Sequence, residues 1–163
     1  MSHDGRAVAN FVLDRCDLKG RHVTNLALQK IVYFCHAWYL VGFKKPLIKH
    51  AFEAWKHGPV LQYLYRDFKD FDKSPITVRA KKLNPETGEF ETVSYRFDGE
   101  ERDFLERAID FYSRIWPGTL IELSHTAGGP WDVVWNHGED VNPGMKIGDE
   151  KISEFFSRRN PPF

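Results

Sequence analysis

The side chains in this sequence best suited to chemistry are its seven histidines and two cysteines, Cys16 and Cys35. Imidazole and thiolate groups bind zinc when they recur at short, fixed spacings. No HxxxH, HExxH or CxxC pattern occurs, although histidines from distant segments could converge in the folded chain: His22, His36, His50, His57, His125 and His137. The spacing favours surface or hydrogen-bonded histidines. We therefore expect no bound metal and no cofactor.

Two sequence neighbours, Ser124 with His125 and Cys35 with His36, place a nucleophile beside a base. Neighbours rarely act together, because catalytic triads are assembled from distant segments. Neither pair lies in a GxSxG turn, and the phosphate-binding patterns GxxxxGK[ST] and GxGxxG are absent. We therefore predict a protein that is not an enzyme, and a small hydrolase using His57 or His125 stays as an alternative.

Three tryptophans lie among polar residues: Trp55 next to Lys56 and His57, and the pair Trp131 and Trp135. Tryptophan is a frequent anchor of protein interfaces, because it buries a large area at one point of contact. The competing interpretation is that each indole fills the core and donates its N–H to a carbonyl. Either interpretation fits a binding module.

Charge is balanced, with 23 basic and 23 acidic residues. A local basic cluster contains Lys44, Lys45, Lys49, His50, Lys56 and His57, and the predicted hairpin adds Arg79, Lys81 and Lys82. This balance disfavours a nucleic-acid partner, so a DNA-binding repressor is the weakest alternative. The most apolar run, 31–43, is too short to span a membrane, and no secretory leader precedes it. We expect a cytoplasmic protein without a membrane partner.

Hydrophobic periodicity predicts helices over 4–17, 25–41, 100–116, 120–125 and 130–135, one begun by Pro59 and one begun at Asp149. The second of these is apolar all round, which is typical of a buried central helix. Alternation over 76–82 and 90–97, around a segment rich in turn formers, predicts a β-hairpin. The expected fold is mainly helical α+β: a single domain over 1–163, forming a compact bundle around a central hydrophobic helix with one β-hairpin.

Two long segments have an unusual and specific sequence: TNLALQKIVYFCHAW at 24–38 and FEAWKHGPV at 52–60, followed by Tyr65. They resemble the Panacea domain, which occurs in antitoxins of the SocA and GepA type from bacteria, phages and prophages. In the second half, Leu123–Ser124–His125 and Gly129–Pro130–Trp131 are similar to the later motif of that family. The resemblance covers most of the chain.

The resemblance implies an antitoxin of a type II toxin–antitoxin system, which neutralises the toxin encoded by the adjacent gene through direct protein binding. It also implies an alternative, a proteolytic adaptor that delivers the toxin to an AAA+ protease. The candidate site is a set of motif residues: Gln29, Lys30, Trp55, Lys56, His57, Gly58, Pro59, Tyr65, Ser124, His125, Pro130 and Trp131. These residues form either the contact surface for the partner or a buried polar network that locks the helices together.

Overall fold

The computed structural model describes residues 2–136 and 143–163. Within them the helices are α1 (Gly5–Leu18), α2 (Asn25–Phe43), α3 (Gln62–Phe68), α4 (Gly99–Tyr112), α5 (Pro117–Ser124), α6 (Pro130–Asn136) and α7 (Asp149–Ser157). The strands are β1 (Phe52–Trp55), β2 (Gly58–Val60), β3 (Lys81–Leu83), β4 (Phe90–Thr92) and β5 (Lys146–Ile147), with 3-10 turns at Lys69–Phe71 and Pro143–Met145. No helix in this part of the chain is both long and apolar enough to cross a membrane.

Helix α2 is the centre of the fold, because its side chains are buried on every side. It packs against α1, α3, α4, α5 and α7. The Thr24 hydroxyl begins it by accepting a hydrogen bond from the Ala27 amide at 3.3 Å. Lys44, in the left-handed conformation, ends it. The predicted α+β fold, mainly helical around a central hydrophobic helix, is confirmed.

Two small antiparallel sheets flank the helices. In the first, β1 lies between β2 and β5. Trp55 faces Gly58 across the β1–β2 turn, which leaves Lys56 and His57 at its tip. The second is the β3–β4 hairpin, which overlaps the predicted hairpin only in part: β3 shares residues 81–82 with the first predicted strand, and β4 covers residues 90–92 of the second. Its ladder is shorter than predicted, and the Asn10 side chain of α1 instead bonds backbone groups of the flanking residues.

The prediction that Pro59 begins a helix is wrong. Pro59 lies in β2, opposite Ala54, and the helix begins at Gln62. Strand β2 is at the edge of its sheet, where a proline without an N–H is tolerated. The chain therefore has a second hairpin, β1–β2, that the sequence pattern did not reveal.

Another boundary differs at the end of α4. The helix predicted over 100–116 stops at Tyr112, and α5 begins at Pro117. Proline suits the first turn of a helix, since its missing N–H has no partner there anyway. Pro117 therefore starts a new helix, and residues 113–116, predicted to belong to the preceding helix, lie between the two. His137, one of the candidate metal ligands, lies outside the described residues.

Candidate functional site

The exposed tip of the β1–β2 turn, Lys56 and His57, is held from below by two buried side chains. The indole N–H of Trp131, on α6, donates to the Trp55 carbonyl at 2.7 Å. The Lys30 amine, on α2, donates to the Pro59 carbonyl at 3.1 Å. The backbone is therefore fixed on both sides of the turn, by groups from two different helices.

Gly58 is the point of closest approach beneath this turn. Its φ of +112° is a conformation that residues with a side chain rarely adopt. A Cβ at this position would lie 2.6 Å from Cε of Lys30 and 2.6 Å from Oγ of Ser124. Both the backbone angle and the packing therefore require glycine here.

Lys30 has no exposed surface. Burial lowers the pKa of its amine to about 7, because the charged form loses its hydration. No carboxylate lies within ion-pairing distance of it among residues 2–136 and 143–163. The amine is consequently partly uncharged near neutral pH, and the Pro59 carbonyl is its hydrogen-bond partner.

His125 lies flat against Trp131, with ring centroids 3.6 Å apart and an angle of 10° between the planes. Its Nε2 atom is buried and finds no hydrogen-bond partner in the described structure. The pKa of His125 is lowered, first by burial and then by unfavourable electrostatic interaction of its protonated form with Lys30 and His57. The ring therefore stays neutral and acts as a packing surface for Trp131.

Within residues 2–136 and 143–163, neither candidate nucleophile, Ser124 or Cys35, hydrogen-bonds a histidine. Ser124 donates its hydroxyl proton to the Ile121 carbonyl at 2.7 Å. Cys35 is fully buried, which raises the pKa of its thiol. His36 is also buried: Nδ1 accepts from the Ile48 amide at 3.2 Å, so Nε2 carries the proton that it donates to Asp149 at 2.8 Å. Within the described ranges, no group of His, Cys, Asp or Glu is placed to hold a metal ion.

Gln29 links α2 to the segment that follows β2. Its carbonyl oxygen accepts from the Leu61 amide at 3.1 Å, and its amide nitrogen donates to Asn25 at 3.1 Å. Asn25 in turn donates to the Tyr65 carbonyl at 3.1 Å. These buried amides therefore satisfy one another and fix α3 against the central helix.

Beside the turn is a groove of about 340 Å³, here called the Trp55 groove. It is lined by Asn25, Leu26, Gln29, Trp55, Lys56, His57, Val60, Tyr65, Lys69, Asp72 and Lys73. The rings of Trp55 and Tyr65 meet edge to face at 5.1 Å, and the Trp55 indole donates to the Glu53 carboxylate at 2.9 Å. Both rings are only partly buried, so an aromatic surface faces the groove.

The structure brings the predicted site residues together in two layers. The inner layer, here called the motif cluster, consists of Gln29, Lys30, Gly58, Pro59, Ser124, His125 and Trp131. The outer layer consists of Trp55, Lys56, His57 and Tyr65 in the groove. Pro130 is buried at the start of α6 and does not line the groove. Lys69 and Lys73 also line the groove but were not predicted as site residues, because they belong to no sequence motif and only the fold brings them close to Trp55.

Comparison with known proteins identifies the family. Residues 28–132 match the family described as antitoxin SocA-like, Panacea domain. A curated relative, Antitoxin SocA of Caulobacter vibrioides, is 38% identical over 156 residues, which is 95% of this chain and 83% of the relative. No solved structure gives a significant match. On both the family match and the near full-length relative, the chain belongs to the family of SocA-like antitoxins with a Panacea domain.

Proposed function

We propose that this protein is the antitoxin of a type II toxin–antitoxin system and that it neutralises a protein toxin, encoded by the adjacent gene, by binding it directly. We assign the contact to the Lys56–His57 turn and the Trp55 groove, and we expect the pair to act in the bacterial cytoplasm. The antitoxin family supports the role, and the geometry of the turn supports the site.

One observation carries this assignment: the motif cluster holds an exposed turn in a fixed conformation. The carbonyls of Trp55 and Pro59, on either side of the tip, each accept a hydrogen bond from a buried side chain. Binding residues are commonly carried on loops that a rigid scaffold positions. A turn ordered before binding loses less entropy when the partner arrives, which favours a tight complex.

The side chains beside the turn are suited to this task. Trp55 and Tyr65 are large, partly exposed and already oriented by contact with each other. Aromatic side chains of this kind supply much of the binding energy in protein interfaces. The motif cluster beneath them needs no contact with the toxin, because its polar groups mostly bond the chain's own backbone.

The test is growth of cells that express the adjacent open reading frame alone, with this protein, or with its Trp55→Ala variant, followed by affinity purification. Rescue with a stable complex supports neutralisation by contact. Rescue accompanied by loss of the toxin favours the proteolytic adaptor, and absence of rescue contradicts an antitoxin role for this pair.

Trp116→Ala is the matched control for Trp55→Ala. Trp116 is 77% exposed and does not line the groove. We expect Trp55→Ala to weaken the complex and Trp116→Ala to leave it unchanged. Thermal unfolding curves check that both variants are folded. Equal binding by both variants would show that the contact lies elsewhere.

A further inference from the structure

The Trp55 groove has an uneven distribution of charge. Among the residues that the structure describes, three lysines line it, Lys56 from the β1–β2 turn and Lys69 and Lys73 from the segment after α3, together with one carboxylate, that of Asp72. The whole chain, in contrast, has equal numbers of acidic and basic residues. The excess of positive charge is therefore a property of this groove and is not shared by the protein as a whole.

The lysines of the groove are available to a partner. All three are exposed, and none forms an ion pair within 4.0 Å with another residue of the described chain. The nearby carboxylate of Glu53 is already engaged by the Trp55 indole. An arriving carboxylate could therefore pair with these lysines without displacing an internal partner.

Most of the remaining surface of the groove is apolar. Leu26, Trp55, Val60 and Tyr65 contribute carbon surface to it. The polar groups of Asn25 and Gln29 at the groove are bonded to each other and to backbone atoms, so they require no partner from a ligand. The groove therefore combines apolar surface with exposed positive charge.

We propose that the toxin places an acidic segment in this groove: an apolar or aromatic side chain packs against Trp55 and Tyr65, and flanking aspartates or glutamates face Lys56, Lys69 and Lys73. This inference rests on the proposed function and specifies the chemistry of its partner. Exposed ion pairs add little affinity individually. A set of like charges instead accelerates association and selects partners of opposite charge.

A single-stranded nucleic acid is the other ligand that could use aromatic rings beside lysines. The balanced charge of the chain disfavours it, because nucleic-acid affinity depends on neutralising many phosphates. A toxin segment needs only a few carboxylates near one apolar anchor. The protein partner is therefore the better fit, and the nucleic acid becomes an outcome of the test.

The test compares two variants with the same change in net charge. The groove variant carries Lys56→Glu, Lys69→Glu and Lys73→Glu, and the control carries Lys19→Glu, Lys45→Glu and Lys82→Glu, three exposed lysines that do not line the groove. Association rates and Kd for the purified toxin are measured by surface plasmon resonance at low and physiological salt. Thermal unfolding confirms that both variants are folded.

We expect the groove variant to bind at least about 10-fold more weakly, mainly through slower association, and to lose most of the salt dependence. The control should stay within about 3-fold of the wild type, since its charges lie away from the contact. If the two variants lose affinity for the toxin equally, or if neither loses it, while the wild type binds tightly, the inference that the toxin contributes an acidic segment is wrong and the proposed function is unaffected.

Two further results would also overturn the inference. If the wild type fails to bind or neutralise the toxin at all, the proposed function fails and this inference fails with it. A fluorescein-labelled 20-nucleotide single-stranded DNA provides the other comparison. If the wild type binds this DNA, the groove variant does not, and toxin binding is unchanged in both, the groove is a nucleic-acid site.

Discussion

Gly58→Ala measures directly how closely the motif cluster packs beneath the exposed turn. The new methyl group would lie 2.6 Å from Cε of Lys30 and 2.6 Å from Oγ of Ser124. These distances are far below van der Waals contact, so at least one neighbour must move. Lys30 can move only by weakening its bond to the Pro59 carbonyl, which holds the turn.

Two contributions set the size of the effect. A residue with a side chain at φ +112° is strained by about 1–3 kcal/mol. Forcing a methyl group into a filled interior costs about another 1–3 kcal/mol. Together they predict a loss of about 2–6 kcal/mol of unfolding free energy. For a chain of this length, that lowers Tm by roughly 5–20 °C.

The assay is urea unfolding of the wild type, Gly58→Ala and the matched control Gly88→Ala. Gly88 also has positive φ, +73°, but no atom of the described residues, apart from its own chain neighbours, lies within 4 Å of its Cβ position. Its replacement should cost about 1–2 kcal/mol, the backbone contribution alone. If Gly58→Ala loses no more stability than Gly88→Ala, the inference that Gly58 is packed too closely for a methyl group is wrong. Adding Ser124→Ala should recover part of the loss, because it removes one of the two clashing atoms.

Three further predictions concern single side chains. Lys30→Met should remove a pH dependence of the free energy of unfolding. Because folding lowers the pKa of Lys30 to about 7, the unfolded state binds one more proton than the folded state above that pH. The stability of the wild type relative to Lys30→Met should therefore rise by about 1 kcal/mol per pH unit between about pH 7 and 8.5, as measured by urea titrations. A flat difference would mean that the amine is hydrated. Asn10→Ala should cost about 2–4 kcal/mol in the same assay and speed amide exchange at the β3–β4 hairpin, since three buried hydrogen bonds to its backbone are lost; unchanged exchange would contradict the anchoring role. Trp131→Phe should cost about 1–2 kcal/mol and weaken toxin binding, because the Trp55 carbonyl loses its donor; full binding would show that this bond does not order the turn.

Much of the fold follows from local patterns. The Thr24 cap and the apolar residues around α2 predict a buried central helix, because a helix without a polar face can only lie inside. Pro130 marks the start of α6, since its fixed φ suits a first helical turn. These features depend on neighbours in the chain, and a sequence shows such neighbours directly.

The β1–β2 hairpin illustrates where local patterns fail. Each strand has only three or four residues, which is too short for alternation to be distinguished from chance. Pro59 also suggested a helix start, and it is accommodated in a strand only because β2 lies at the sheet edge. Edge position is a property of the assembled sheet.

The candidate site divides in the same way. The sequence by itself determined which residues belong to the family motifs, and it left open whether they form a surface or a buried network. The tertiary structure decided their placement: Lys30 and Ser124 meet beneath Gly58, while Trp55 and His57 face outward. It also brought Lys69 and Lys73 to the groove, from a segment without any motif. Burial and charge pairing depend on contacts between distant segments, and those contacts exist only once α2, α6 and the β1–β2 turn have packed together.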